Sequence, residues 1–261
     1  MKPAFFVLTV AGSDSGGGAG IQADSRTIRA LGGFALTAIT AVTAQNTRGI
    51  AAWEPVTPRL IRAQIAAVLA DFPVRTVKTG LLPSAAAVHA VADSLVDHPE
   101  IALVVDPVLG STSGTTFLNP AGIAALRKRL LPRATLVTPN WPEAAALSGQ
   151  PVTNYATALA AGQRIMDEVG CDVLVKGGHA AGRRAGDLLV TAAGSEVFAG
   201  VRIATPNTHG TGCVLSAAIA SGLAQGLSVE RAIKQARCLL RAGLRRGCKE
   251  AWGGRGPALV T

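Results

Sequence analysis

The feature that most constrains the fold is an alternation of short apolar, β-branched runs with longer Ala-rich segments of helical period. Continuous apolar strands between amphipathic helices are typical of a parallel sheet that is covered on both faces. The apolar runs predict the strands Phe5–Val10, Leu36–Val42, Val74–Lys78, Ile101–Asp106, Thr135–Thr138 and Val173–Lys176. The intervening segments predict the helices Ile21–Leu31, Pro58–Ala70, Ser84–Val96, Pro120–Leu131 and Ala156–Val169.

The last third of the chain departs from this alternation. Asp187–Thr191 and Ser195–Phe198 predict a short hairpin, and Gly212–Gly226 and Val229–Arg246 predict two closing helices. We find no linker, low-complexity tract or internal repeat, so residues 1–261 are predicted to form a single domain. Hydrophobic residues make up 49% of the chain and charged residues 16%, which permits one large core and excludes a disordered chain.

The composition limits the partners. Lys and Arg exceed Asp and Glu by 25 to 16, a surplus that suits an anionic partner without identifying it. The basic residues form two groups: Lys234, Arg237, Arg241 and Arg245, and Arg127, Lys128, Arg129 and Arg133. Neither group has the interleaved aromatic residues that stack on bases, so we expect no nucleic acid and interpret both as solvated faces or subunit contacts.

Targeting and cysteine patterns indicate a cytoplasmic protein without a membrane span. The apolar start is followed by no cleavage site, and residues 214–227 are too short and too polar to cross a bilayer. The cysteines Cys171, Cys213, Cys238 and Cys248 contain no C-x-x-C pair, which argues against a zinc site.

Polar and Gly-rich residues follow several of the predicted strands. In an open parallel sheet, function lies beyond the carboxyl ends of the strands. The segments that follow those ends are Gly12–Gly20, Lys78–Gly80, Asp106–Val108, Thr138–Glu143 and Lys176–His179. This clustering predicts an active site at one edge of the sheet.

The segment Asn207–Cys213 precedes a long apolar helix and predicts an anion site, because glycines let backbone N–H groups point outward at a positive helix end. The alternative is an ordinary N-cap by Thr208 or Thr211. Cys213 lies in the first helical turn, where the helix lowers a thiol pKa and favours the nucleophilic or basic thiolate. The alternative for Cys213 is a small buried apolar residue.

Other residues at this edge carry two interpretations each. Asp106 and Glu143 could orient Mg²⁺ through water, or serve as turn and helix-start residues. Lys176 could reach a phosphate or simply extend into solvent. Asp24 is expected on the first turn of the helix after Gly20, where it could meet a ligand or complement the helix dipole. No carboxylate follows the second strand, which disfavours dinucleotide binding.

In their order along the chain, these segments are similar to the motifs of a known enzyme family. The opening segment AGSDSGGGAGIQAD (11–24) resembles the signature of the bacterial hydroxymethylpyrimidine/phosphomethylpyrimidine kinases of thiamine biosynthesis. The segments that match as well are TAQNT (43–47), KTGL (78–81), DPV (106–108), TPNxxE (138–143), KGGH (176–179) and NTHGTGC (207–213). They run in the family's order along the chain, which makes the resemblance specific.

The resemblance implies a ribokinase-like three-layer αβα sandwich with a mostly parallel sheet, usually a homodimer. It implies transfer of the ATP γ-phosphoryl to a pyrimidine's hydroxymethyl oxygen, and a second transfer to the monophosphate, with Mg²⁺. The residues that would bind the pyrimidine are Gly12, Asp24, Gln45, Leu81 and Val108. Cys213 would be the catalytic base, and the backbone of Gly210, Thr211 and Gly212 would form the anion hole. The residues that would bind ATP are Asn140, Lys176 and Thr208. Asp106 and Glu143 would hold Mg²⁺.

The chain departs from the family pattern at two positions. Leu81 stands where a Met is common, and Thr112 stands where a Lys is expected before Ser113-Gly114. In the family pattern this Lys would help to hold the first phosphate of the substrate. Its absence therefore affects the expectation that this chain carries out the second transfer. Two alternatives remain: a pyridoxal kinase of the same superfamily, and a non-catalytic regulator that binds a nucleotide or pyrimidine.

Overall fold

The computed structural model describes residues 4–110, 114–180, 182–183 and 185–260. Within these ranges the strands are β1 Phe6–Asp14, β2 Phe34–Asn46, β3 Gly49–Pro55, β4 Thr76–Thr79, β5 Ala102–Val105, β6 Leu136–Val137, β7 Asp172–Val175, β8 Asp187–Thr191 and β9 Gly194–Phe198. They form one sheet in the order β3-β2-β1-β4-β5-β6-β7-β8-β9. Strands β2, β1, β4, β5, β6 and β7 pair in parallel, and the edges β3, β8 and β9 are antiparallel.

Helices cover both faces of this sheet. They are α1 Gly20–Ala30, α2 Pro58–Asp71, α3 Ala85–Ser94, α4 Pro120–Ala125, α5 Trp141–Ser148, α6 Tyr155–Val169, α7 Thr211–Ala224 and α8 Val229–Gly247. The strand residues alternate between two cores: Leu103 and Val105 pack with α2 to α6, while Val104 packs with α1, α7 and α8. All three are fully buried, so the predicted three-layer αβα sandwich with a late hairpin is confirmed.

One of the described strands, β3, and one of the described α-helices, α5, were not predicted from the sequence. Strand β3 is an edge strand that contains Ala and Gly and has little β-branching. It pairs antiparallel with the end of β2, which runs to Asn46 and so beyond its predicted end at Val42. Helix α5 is only eight residues long, too short for a helical period to show. Its capping box is nevertheless present in the sequence, because Asn140 and Glu143 each bond the backbone N–H of the other.

The predicted helix Pro120–Leu131 is less regular than expected. It begins as α4, capped by Asn119, and continues from Leu126 to Leu130 as a wider π turn and then as a 3₁₀ turn, Leu131–Arg133. Pro132 cannot donate a backbone hydrogen bond, and it lies in the 3₁₀ turn that ends the segment. Among the described helices, none combines the length and apolar character that a membrane crossing requires.

The prediction that the basic face of α8 is a solvated surface or a subunit contact is wrong for Arg237. Its guanidinium pairs with Asp187 on β8 and donates to the Ala199 carbonyl. Arg241 likewise donates to the Val201 carbonyl. The α8 cations therefore fasten the hairpin and the segment after it to the body of the domain.

Candidate active site

A cavity of about 610 Å³ opens at the carboxyl edge of the parallel strands. Its lining includes the predicted site residues Gly12, Gln45, Leu81, Asp106, Val108, Asn140, Glu143, Lys176, Thr208, Gly210, Thr211, Gly212 and Cys213. These residues come from loops that are far apart in sequence and meet because parallel strands end at the same edge. Of the predicted site residues, Asp24 alone is not part of the described lining.

The loop before α7 has the geometry of an anion site. Gly210 is the N-cap with a φ of +71°, and a Cβ there would lie 1.9 Å from the carbonyl oxygen of Gly18. No side chain caps the helix, so the alternative of an ordinary cap by Thr208 or Thr211 is wrong. The first amides of a helix have no acceptor within it, and Gly212 and Cys213 of this first turn line the cavity, so their N–H groups would be available to an anion bound there.

Cys213 lies in the first turn of α7, as predicted, but its environment does not favour the thiolate. Burial raises the pKa of the Cys213 thiol to about 11, with Asp24 and Asp106 adding to the shift and the Lys78 ammonium opposing it. The prediction of a lowered pKa is therefore wrong. The partial burial of the thiol and the charge of the neighbouring carboxylates outweigh the effect of the helix end.

Asp24 lies in the second turn of α1, not the first, and has no exposed surface. One carboxylate oxygen, Oδ2, lies 2.7 Å from Lys78 Nζ and accepts a 2.5 Å hydrogen bond from Thr9 Oγ1. The other, Oδ1, is buried without a hydrogen-bond partner in the described structure. Lys78 is fully buried yet borders the cavity, although the sequence predicted no role for it.

Lys176, Asp106 and Glu143 form a charged cluster at the ends of β5, β6 and β7. Lys176 Nζ lies 2.6 Å from Asp106 Oδ1 and 3.7 Å from Glu143 Oε2. Burial raises the pKa of Glu143 to about 7, with Lys176 opposing the shift and Asp106 adding to it. Burial also raises the pKa of Asp106, but the Lys176 and Lys78 ammonium groups outweigh it and hold that pKa below its usual value.

The structure adds a pair whose residues occur in the sequence motifs without an assigned role. His209 Nε2 lies 2.9 Å from Asp14 Oδ2 and 3.2 Å from Gln45 Nε2. Asp14 also accepts the backbone N–H groups of Gly16, Gly18 and Ala19. This pair ties the Gly-rich loop after β1 to the anion loop, and the Asp-x-Gly turn pattern was the available sequence signal.

The donor set is compatible with Mg²⁺. Asp106 and Glu143 offer carboxylate oxygens that converge on one ammonium group, and Mg²⁺ is commonly held by one or two carboxylates, water and substrate phosphates. Among the described residues there is no cluster of three or more His, Cys, Asp or Glu side chains that would enclose a metal by itself. A hydrated cation shared with a nucleotide fits this arrangement.

Comparison with known proteins agrees with the motifs. A family model described as phosphomethylpyrimidine kinase matches residues 14–257. The chain belongs to this family. A hydroxymethylpyrimidine/phosphomethylpyrimidine kinase of Rhizobium meliloti is 44% identical over 96% of this chain and 94% of its own length. The kinase of that name from Escherichia coli is 44% identical over 82% of this chain and 81% of its own length.

Solved structures give the same fold. A phosphomethylpyrimidine kinase of Clostridium difficile superposes with a TM-score of 0.79 at 39% identity, over 90% of this chain and 96% of that one. An ADP complex of Bacillus subtilis pyridoxal kinase superposes with a TM-score of 0.90 at 33% identity, over 98% and 97%. The predicted family, the ribokinase-like architecture and the kinase class are confirmed. Thr112, which stands where the family pattern predicts a Lys, lies outside the described residues.

Proposed function

We propose that this kinase phosphorylates 4-amino-5-hydroxymethyl-2-methylpyrimidine with ATP, and then phosphorylates the monophosphate to the pyrophosphate, in thiamine biosynthesis. The observation that carries the proposal is a single cavity that joins an uncharged ring pocket to an anion loop and a Lys–carboxylate cluster. The names of the curated relatives support the same pair of acceptors. A homodimer in the cytoplasm is the expected setting.

The ring would lie between Gly12, Leu81 and Val108, with Gln45 at its edge. A Cβ on Gly12 would lie 2.9 Å from Leu81 Cδ2, so glycine leaves the slot open for a flat ligand. Thr43 donates to Gln45 Oε1, and His209 contacts Gln45 Nε2, so the amide is held in place before substrate binds. A fixed amide suits recognition of ring nitrogen and amino groups. Asp24 would act behind the pocket, through Lys78, rather than on the ring.

The transfer end would consist of the Gly210–Gly212 backbone, Lys176, Asn140 and Thr208 around the nucleotide phosphates. Asp106 and Glu143 would hold Mg²⁺, which when bound neutralises negative charge on the phosphates. Phosphoryl transfer depends mainly on positioning and on such charge neutralisation. Backbone N–H groups and the Lys176 ammonium would stabilise the charge that builds up on the transferred group.

Cys213 would take the proton of the acceptor hydroxyl. With a thiol pKa of about 11, only a small fraction is thiolate near neutral pH before the ligands bind. The loose transition state of phosphoryl transfer needs little nucleophile activation, so proton transfer can come late. We infer that Cys213 contributes a base effect of about 10²- to 10⁴-fold and that positioning contributes the rest.

A pyridoxal kinase is the second candidate, favoured by the TM-score of 0.90 with the Bacillus subtilis enzyme. The deciding experiment is a coupled ADP-release assay on the pyrimidine alcohol, its monophosphate and pyridoxal. We expect kcat/KM for the pyrimidine alcohol to exceed that for pyridoxal by about 100-fold, since the two rings offer Gln45 different hydrogen-bonding groups. A larger kcat/KM for pyridoxal would reverse the assignment.

The Gln45→Ala variant tests the ring pocket. Loss of the amide should raise KM for the pyrimidine alcohol about tenfold or more, because it leaves ring polar groups unpaired. KM for ATP should stay within about twofold, since Gln45 contacts no group assigned to the nucleotide. Equal effects on both values would remove Gln45 from ring recognition.

A further inference from the structure

The cavity contains cationic side chains of two kinds. Lys78 is paired with Asp24, and Lys176 is paired with Asp106 and Glu143. Arg48 and Arg255 also line the cavity, yet neither has a carboxylate within ion-pair distance among the described residues. These two guanidinium groups therefore carry a positive charge that no carboxylate among the described residues offsets, whereas each of the two lysines is balanced by at least one carboxylate.

Arg48 and Arg255 lie far apart in sequence but are fastened together on one rim. The backbone N–H of Arg255 donates to the Thr47 carbonyl at 2.8 Å, and Arg48 Nε donates to the Gly253 carbonyl at 3.2 Å. A Cβ on Gly254 would lie 2.3 Å from the Thr47 carbonyl oxygen, so the two segments are in direct backbone contact. The rim is thus formed before a ligand binds, and no hydrogen bond within the described residues occupies the Nη groups of Arg48.

This rim lies next to the ring pocket. Arg48 is three residues after Gln45, and its backbone N–H is fixed by Asn46 Oδ1 at 2.8 Å. Gln45, Asn46, Arg48 and Arg255 line the same cavity as the anion loop. An anionic group carried on the acceptor, rather than on the nucleotide, would therefore share this cavity with the two arginines.

We propose that Arg48 and Arg255 bind the phosphate of the monophosphorylated pyrimidine during the second transfer. This inference rests on the proposed function and identifies the cations that take over from the Lys that residues 109–114 lack. Two guanidinium groups match a phosphate dianion, which accepts bidentate, charge-assisted hydrogen bonds. In the proposed function the nucleotide phosphates would be held by Lys176 and the α7 N-terminus instead.

The second transfer also has a different proton balance from the first. An oxygen of the substrate phosphate attacks the γ-phosphorus of ATP, a phosphoanhydride bond forms, and the bond to ADP breaks. A phosphate monoester has a second pKa near 6, so the attacking oxygen is already deprotonated near neutral pH. This step needs cations to offset the repulsion between two anions and needs no base, which assigns it to the arginines rather than to Cys213.

The experiment compares Arg48→Met, Arg255→Met and the double variant with wild type, with Arg59→Met as the matched control. Arg59 is an exposed arginine on α2 outside the cavity. We expect KM for the monophosphate to rise about 10- to 100-fold in the rim variants. KM values for the alcohol and for ATP should change less than about twofold, and Arg255→Lys should recover part of the loss.

Binding measured without ATP gives a second readout. Titration calorimetry with the monophosphate should show weaker binding to the double variant, while binding of the alcohol stays the same. Equal effects on alcohol and monophosphate, a selective rise in KM for ATP, or unchanged values for all three would overturn the inference. So would a wild type that phosphorylates the alcohol and rejects the monophosphate. A wild type inactive on both acceptors would instead overturn the proposed function.

The Arg255→Met variant distinguishes loss of a ligand contact from loss of folding stability. The Arg255 side chain makes no intramolecular hydrogen bond in the described structure, so thermal melting should match that of wild type. Arg48→Met removes the bond to Gly253 and serves as the second test. A selective effect in Arg255→Met with unchanged melting supports a phosphate site rather than a structural role.

Discussion

At the scale of single residues, the same side chain can carry opposite meanings depending on what surrounds it. Cys213 begins α7, and a helix N-terminus by itself favours a thiolate. In the folded chain the thiol is partly buried and lies near two carboxylates, which raises its pKa to about 11 although the Lys78 ammonium opposes the shift. The chemistry of Cys213 is thus decided by neighbours that belong to other elements of the fold.

Alkylation kinetics test this environment. Because the thiolate is the reactive form and the Cys213 pKa is raised, its reaction with iodoacetamide should speed up about tenfold per pH unit up to near pH 11. An ordinary thiol would level off near about pH 8.5. Short labelling pulses with peptide mass spectrometry measure this rate at each cysteine separately, and Cys213→Ala identifies the peptide. A plateau for Cys213 at the pH of an ordinary thiol, or below it, would contradict the raised pKa.

Activity of Cys213→Ala provides the catalytic counterpart. We expect phosphorylation of the alcohol to fall about 10²- to 10⁴-fold while nucleotide binding persists, because only the proton acceptor is lost. Phosphorylation of the monophosphate should fall much less, since its attacking oxygen carries no proton. Near wild-type turnover of the alcohol would exclude Cys213 from the first transfer.

At the scale of elements, glycines let loops approach where side chains could not. Gly210 has a φ of +71° and faces the Gly18 carbonyl, so the anion loop and the β1 loop pack backbone to backbone. Gly226 has a φ of +84°, and a Cβ added there would meet open space within 4 Å. The two residues therefore share the backbone conformation and differ in what surrounds them.

The pair Gly210→Ala and Gly226→Ala separates strain from contact. Both should lose about 1–3 kcal/mol of unfolding free energy from the left-handed backbone. Only Gly210→Ala also displaces the anion loop, which should lower kcat about 10²-fold or more. Urea unfolding and steady-state assays measure the two effects. A matching loss of kcat in Gly226→Ala would show that the backbone strain, not the loop contact, affects catalysis.

At the scale of the whole molecule, the C-terminal segment closes the structure. The Asn207 amide, almost fully buried, donates to the Gly247 and Glu250 carbonyls at 2.7 and 2.9 Å and accepts from Gly256 N at 3.0 Å. One side chain before the anion loop thus holds the end of α8 and the segment that brings Arg255 to the cavity. The rim and the catalytic loop share this anchor.

Asn207→Ala should therefore destabilise the whole domain. Losing three hydrogen bonds and leaving buried backbone groups unpaired should cost about 3 kcal/mol of unfolding free energy. Asn154→Ala, which removes a helix cap at an exposed position, should cost only about 1 kcal/mol. Urea denaturation measures both. Equal losses in the two variants would mean that the Asn207 anchor contributes no more than a cap.

Much of the fold was predictable because it depends on local patterns. Apolar runs such as Ile101–Asp106 are central strands whose residues face two cores, and a buried strand must be apolar on both faces. The weak edge strand β3 and the short helix α5 lacked such a signal, because neither has a buried face long enough to leave a period. Pairing with β2 and a capping box specify them instead.

The sequence by itself determined the family, the order of the motifs and the edge at which they meet, because residue type and strand direction are local properties. Only the tertiary structure decided the electrostatics. It buried Asp24 against Lys78 and raised the pKa of Cys213. It also paired Arg237 with Asp187. At the cavity, it left Arg48 and Arg255 without a carboxylate partner among the described residues. Charge interactions depend on distance and burial between segments remote in sequence, and spacing along the chain does not encode either one.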